Sequence, residues 1–341
     1  MPQSLIAILL PAIIPLLELG AVACTRPPTT VTPLSRGLVT SPDDYHVVHG
    51  WPQVPPAELL GQVSGVGVDS SANVFVFRRA DRSLPATTIS IEPIGEPTVW
   101  LFEGQSGRLL ERWGAHQFAM PHGLTVDRDN NLWLTDIALH QVFKYSHEGV
   151  QLLALGTRGI PGSDSTHFDG PTDVAVAVDG SIYIADGYGN NRVVQFSAEG
   201  HYVREWGRKG IGPGEFELPH SIAMDAMGRL YVADRGNARV QLFDSTGGYL
   251  REWRGTAIGR PWAVRVASDG FVYVVDGGDQ HPPERARVYK LTQDGKVVAA
   301  LGRFGNYDGQ FIWPHCVAVG PGGAVYVGDV FIGRRVQKFV P

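Results

Sequence analysis

Cysteine is nearly missing from this chain: 341 residues contain two, Cys24 and Cys316, so no disulfide framework organises the fold. Charge is also sparse. Only 18% of residues are charged, and 29 Lys plus Arg stand against 34 Asp plus Glu, for a net charge of -5. Without a basic excess there is no stripe to displace phosphate counterions, which excludes nucleic acid as a partner. A low charge fraction beside 43% apolar residues also excludes a disordered tail or long solvated helices. What the chain does have is 42 Gly and 24 Pro. They punctuate short apolar runs, the texture of an all-β protein large enough to need no staples.

Leu5 to Leu17 is an apolar run broken by Pro11 and Pro15, followed by Glu18 and by Ala21-Val-Ala-Cys24. A spanning helix needs about 20 apolar residues, so the run reads as an export signal with an Ala-x-Ala site. No Lys or Arg precedes it. Cys24 after Ala23 also resembles the lipidated cysteine of a bacterial lipoprotein. We therefore expect a signal over residues 1–24, a Pro/Thr-rich tether over 25–43 and a folded body over 44–341. The expected location is periplasmic, cell-surface as a lipoprotein anchored at Cys24, or secreted.

The body repeats. A short apolar strand recurs as Asn73-Val-Phe-Val-Phe, Leu132-Trp-Leu-Thr-Asp136, Ile182-Tyr-Ile-Ala-Asp186, Leu230-Tyr-Val-Ala-Asp234, Val272-Tyr-Val-Val-Asp276 and Val325-Tyr-Val-Gly-Asp329. From Asp136 on, the aspartates fall 50, 48, 42 and 53 residues apart. A period of this length with about four strands per unit predicts a six-bladed β-propeller. Third strands read Arg192-Val-Val-Gln-Phe196, Arg239-Val-Gln-Leu-Phe243 and Arg335-Val-Gln-Lys-Phe339. With the Gly-x-Gly-x-Phe-x-x-Pro lead-in ending at Pro219, the unit resembles the NHL repeat. Tyr45 to Trp51 is expected to pair with the last blade, because an open ring would leave unpaired edges.

Aligning the first strands gives one hub residue per blade: Ser64, His122, Thr172, His220, Trp262 and His315. Histidine takes alternate blades, 98 and 95 residues apart, so the three imidazoles should approach the axis from directions roughly 120° apart. Three converging imidazoles with an open fourth side match a catalytic zinc site. The competing reading is that each caps backbone groups at the channel mouth. The second strand returns antiparallel, which places the residues after it at the same mouth: Arg79, Tyr188 and Arg235. The strand-ending aspartates recur too regularly to be catalysts and read as turn-formers.

Several of these stretches resemble the peptidyl-α-hydroxyglycine α-amidating lyase family. They include Gly61-Gln-Val-Ser-Gly-Val66, Pro121-His-Gly-Leu124, Pro161-Gly-Ser-Asp164, Pro171-Thr-Asp-Val-Ala-Val176, Asp186-Gly-Tyr188, Pro219-His-Ser221 and Ala233-Asp-Arg235. The resemblance runs from about Leu60 to Phe339. It implies zinc on His122, His220 and His315, action on substrate by Arg79, Tyr188 and Arg235, and a structural calcium held partly by the main chain of Val66 and Leu124. The implied substrate is a peptide or N-acyl group ending in α-hydroxyglycine, the products are an amide and glyoxylate, and a monomer is expected. Two departures stand out. Cys316 occupies the place of a family aspartate that helps hold the calcium, and Trp313 replaces a methionine of the pocket wall.

Within that implied chemistry Tyr188 is the candidate base, Arg79 the cation favouring its phenolate, and Arg235 the holder of the substrate carboxylate. The structural alternatives are salt bridges from both arginines to blade-turn aspartates, and a Tyr188 that stacks at the rim. Two other functions are weighed. One is a non-catalytic extracytoplasmic propeller that binds a protein or glycan. The other is a calcium-dependent lactone hydrolase, which would want oxygen ligands on the axis where three imidazoles stand.

Overall fold

The computed structural model describes residues 32–33, 45–84, 89–255, 258–278 and 285–341. The expected signal, Cys24 and most of the expected tether lie outside these residues. Six sheets are arranged as blades, each of four antiparallel strands, and the blade 4 sheet carries Thr32–Pro33 as a fifth strand, parallel to Tyr249–Arg254. Blade 1 comprises Val63–Val68, Val74–Arg78, Val99–Phe102 and Leu109–Trp113. Blades 2 to 5 begin at Pro121, Pro171, Pro219 and Pro261 and repeat the same order. Blade 6 comprises Pro314–Val319, Val325–Asp329 and Arg335–Val340, and its fourth strand is His46–Val47 from the N-terminal side of the body. His46 pairs with Val340 and Val47 with Phe339, so both ends of the propeller share one sheet and the ring is closed.

Burial falls from the axis outward and explains the strand compositions. Second strands such as Ile182–Asp186 and Leu230–Asp234 are buried at every residue, because blades cover both their faces, and so they read as continuous apolar runs. Fourth strands such as Tyr202–Trp206 are largely exposed and mix Arg and Glu with apolar residues. Blades contact one another through a repeated device. The indole closing one fourth strand lies on the turn glycine of the next blade: Trp113 on Gly149, Trp206 on Gly247 and Trp253 on Gly295. Each glycine has φ between +80° and +89°, and a Cβ there would stand 2.7–2.8 Å from the indole. Only glycine satisfies both the backbone and the contact.

The recurring aspartates tie loops to blades. Asp136 accepts four backbone N–H groups, from Ala119, Met120, Ala138 and Leu139. Asp186 and Asp234 lie directly opposite Arg192 and Arg239 on the third strand and pair with them at 2.9 and 2.7 Å. Arg239 is fully buried and also reaches Glu252 at 2.7 Å. Removing this guanidinium leaves the fully buried Asp234 without its cation, while Glu252 keeps Arg254 at 2.6 Å. Arg239→Met is therefore expected to cost about 3–5 kcal/mol by urea unfolding, whereas Arg112→Met, which removes a solvent-exposed pair with Glu58, should cost under about 1 kcal/mol. Equal costs for the two would contradict this account of the blades.

Candidate metal centre and the adjoining pocket

The inner strand of each blade breaks register at its hub residue. Pairing skips from Val63 to Gly65, Pro121 to Leu124, Pro171 to Asp173, Pro219 to Ser221, Pro261 to Ala263 and Pro314 to Cys316. Such an irregularity re-aims the side chain left out of the ladder. All six hub side chains are buried, and one nitrogen from each of His122, His220 and His315 lies within 4.8 Å of the others.

The histidines are held from behind. His122 Nδ1 donates to Thr172 O at 2.7 Å, His220 Nδ1 to Trp262 O at 2.6 Å and His315 Nδ1 to Ser64 O at 2.8 Å. Each acceptor is the hub carbonyl of the next blade round the ring. A carbonyl can only accept, so the proton sits on Nδ1 and the lone pair on Nε2. Burial, with the nearby Arg79 charge next in importance, pushes His122 down to about 3. Burial first, and then neighbouring charge, also holds His220 and His315 well below the ordinary imidazole range. All three are neutral bases at physiological pH. His315 Nε2 is buried and has no hydrogen-bond partner among the described residues. Three neutral nitrogens, each oriented by a carbonyl, one of them without a proton donor, are a donor set that fits zinc.

Tyr188, Arg79 and Arg235 come together at one side of this triad. The Tyr188 hydroxyl is 3.2 Å from His122 Nε2 and 3.4 Å from His220 Nε2, placing it at the histidines themselves. Its position depends on Gly187, where a Cβ would lie 2.0 Å from Pro219 O. Arg79 is 1% exposed. Its Nε donates to Pro121 O and its Nη1 to Gln62 Oε1, both at 2.9 Å, while Nη2 is buried and unbonded. Burial lowers its pKa to about 10 against the favourable pull of Tyr188. The Arg235 guanidinium carbon sits over the Trp262 ring, 3.6 Å from its centroid, a cation–π contact that suits guanidinium.

A cavity of about 240 Å³ is lined by Arg79, Tyr188, Arg235, His315 and an apolar wall of Leu84, Trp262, Val330 and Phe331. Trp313 packs on both Trp262 and Phe331. Phe331 stands two residues after Asp329 as Tyr188 does after Asp186, so the placement of residues after the second strand reaches it too, whereas Leu84 and the Arg79-holding Gln62 carry no such signal. Val66 and Leu124 lie further along the axis and line a separate cavity of about 240 Å³ together with Arg265. The Leu124 carbonyl accepts from Arg265 Nη2 at 3.2 Å, and Cys316 turns its sulfur toward Val63 O at 3.8 Å. These groups do not fit calcium, which requires six to eight oxygens.

A peptidyl-α-hydroxyglycine α-amidating lyase of Drosophila melanogaster is 33% identical over 333 residues, covering 90% of this chain and 78% of the fly protein. The chain belongs to the peptidyl-α-hydroxyglycine α-amidating lyase family. The peptidylglycine α-amidating monooxygenase of Rattus norvegicus is 38% identical over 87% of the chain, which spans only 32% of the rat protein. A family model described as a 6-bladed beta-propeller matches residues 161–307. A gluconolactonase from Xanthomonas campestris superposes with a TM-score of 0.58 at 12% identity, covering 83% of this chain and 87% of that one. That likeness is one of fold alone.

The buried imidazoles set a pH dependence. Unfolded histidine titrates near 6.5, so between about pH 6.5 and 3 the unfolded metal-free chain binds a proton that folded His122 refuses, and stability falls on acidification by up to about 1.4 kcal/mol per pH unit. Asp276 and Asp329, which burial pushes up to about 6, act in the opposite sense, so the imidazole contribution is read as a difference. Urea unfolding of metal-free protein across this window should show a shallower acid slope for His122→Gln than for the wild type. Parallel slopes would contradict neutral burial of His122.

Proposed function

We propose that the protein is a zinc-dependent lyase that cleaves the carbon–nitrogen bond of a peptidyl or N-acyl α-hydroxyglycine to give an amide and glyoxylate. The observation that carries this reading is the set of three carbonyl-oriented, neutral imidazoles with Tyr188 at hydrogen-bond distance from two of them. Family membership supports the carbon–nitrogen bond as the one broken.

Zinc on His122, His220 and His315 would supply Lewis acidity, lowering the pKa of the substrate hydroxyl. The remaining steps belong to the chain. Arg235, placed over Trp262, holds the substrate carboxylate in a bidentate pair. Arg79, buried with Nη2 unbonded, favours an anionic oxygen beside it. Tyr188 takes the hydroxyl proton and returns it to the departing amide nitrogen. The C–N pair leaves with nitrogen while the freed oxygen pair closes the aldehyde of glyoxylate, so neither water nor redox cofactor is consumed. The Leu84, Trp262, Val330 and Phe331 wall keeps solvent from the breaking bond.

His220→Ala is expected to abolish both stoichiometric zinc and glyoxylate formation from an N-acyl α-hydroxyglycine, measured by elemental analysis and aldehyde assay. Activity equal to the wild type would remove the mechanism. Tyr188→Phe should keep its zinc and lower kcat about 10²–10⁴-fold. Zinc without turnover in the wild type would instead favour a binding protein.

A further inference from the structure

The axial channel beyond the histidines contains a cation supplied by the chain itself. Arg265 sits on the inner strand of blade 5, at a position filled by Gly67, Thr125, Ala175, Ala223 and Ala318 in the other blades. Its Nη1 donates to Asp173 Oδ2 at 2.6 Å and its Nη2 to Asp173 Oδ1 at 3.1 Å, a two-pronged pair across 92 residues of sequence. Nη1 also donates to Ser221 Oγ at 3.0 Å and Val264 O at 2.9 Å, with Ile222 O at 3.5 Å. Nη2 reaches Leu124 O at 3.2 Å. Asp173 is completed by Ser221 Oγ at 2.6 Å and Ile222 N at 3.1 Å. One guanidinium thus joins blades 2, 3, 4 and 5.

We propose that Arg265 is a built-in axial cation, filling with a guanidinium the role that the lyase resemblance assigns to calcium, so that this propeller is closed and stable without calcium. The chemistry is consistent on both sides of the exchange. A hard divalent ion needs carbonyl and carboxylate oxygens free to face it, but the Leu124 carbonyl and both Asp173 oxygens already accept N–H groups, and Cys316 offers sulfur. A planar guanidinium matches a carboxylate in two parallel bonds, which a spherical ion cannot reproduce. The tie also reaches the candidate zinc site. Asp173 follows Thr172, whose carbonyl orients His122, and Ser221 follows His220. Arg265 is in this sense a positioning residue.

The test reads stability and bound calcium, and so stands apart from the lyase reading. Protein dialysed free of calcium, with zinc supplied throughout, should show the same thermal and urea midpoints with and without millimolar CaCl2. After gel filtration in CaCl2 it should carry only substoichiometric calcium by elemental analysis. A saturable calcium-dependent rise in the midpoint, or one calcium per chain, would overturn the proposal, and this arm needs no variant to fold. Arg265→Ser leaves Asp173 buried without its cation and should lower the folding equilibrium constant on the order of a hundredfold or more, with Arg265→Ser/Asp173→Asn recovering part of the loss. An Arg265→Ser protein as stable as the wild type would equally refute the tie.

Discussion

Three hydrogen bonds from imidazole Nδ1 to the hub carbonyl of the following blade are the constraint on which the site depends. They settle the tautomer, turn Nε2 toward the axis and couple each histidine to the position of its neighbouring blade. Because the acceptors are Thr172, Trp262 and Ser64, the three blades that lack histidine supply the outer support for the three that have it. Each histidine blade and the blade that follows it therefore form one supporting unit, and three such units make the ring. Ring closure by His46–Val47 belongs to the same constraint, since His315 in blade 6 leans on Ser64 in blade 1.

Around this triad the protein tolerates groups that would be costly elsewhere. Among the described residues, Arg79 is enclosed with one donor unbonded and His315 Nε2 has no partner. Ordinary cores satisfy such atoms, and the aspartates of this same fold do so thoroughly, as the four N–H bonds to Asp136 show. Unpartnered atoms also occur out in the blades, as at the Trp113, Trp206 and Trp253 indoles, but Arg79 Nη2 and His315 Nε2 are the ones that adjoin burial-shifted imidazoles, a setting that points to chemistry.

Much of this was legible in the sequence because the fold is periodic. Strand composition, the 42- to 53-residue period and the alternating hub histidines follow from local pattern, and the antiparallel return of the second strand places Arg79, Tyr188 and Arg235 at one mouth. The alternative of aspartate pairing is not the observed hydrogen bonding of Arg79, which goes to Gln62 and Pro121; Asp186 and Asp234 pair with Arg192 and Arg239 of the third strands instead. What stayed hidden is whatever has no counterpart in the repeat. Gln62 holds Arg79 by a single side-chain contact, the Arg235–Trp262 contact joins two blades by a side-chain choice, and Arg265 finds Asp173 across 92 residues. Periodicity reports the scaffold and is silent about such single cross-ring contacts.

The register break at each hub has a consequence for diversification. A side chain that stands outside the ladder can be exchanged without disturbing strand pairing, so the axis behaves as six interchangeable sockets on a fixed frame. Ser64, Thr172 and Trp262 occupy the three sockets between the histidines, and new ligands or new pocket shapes at those places would leave the blades that surround them intact.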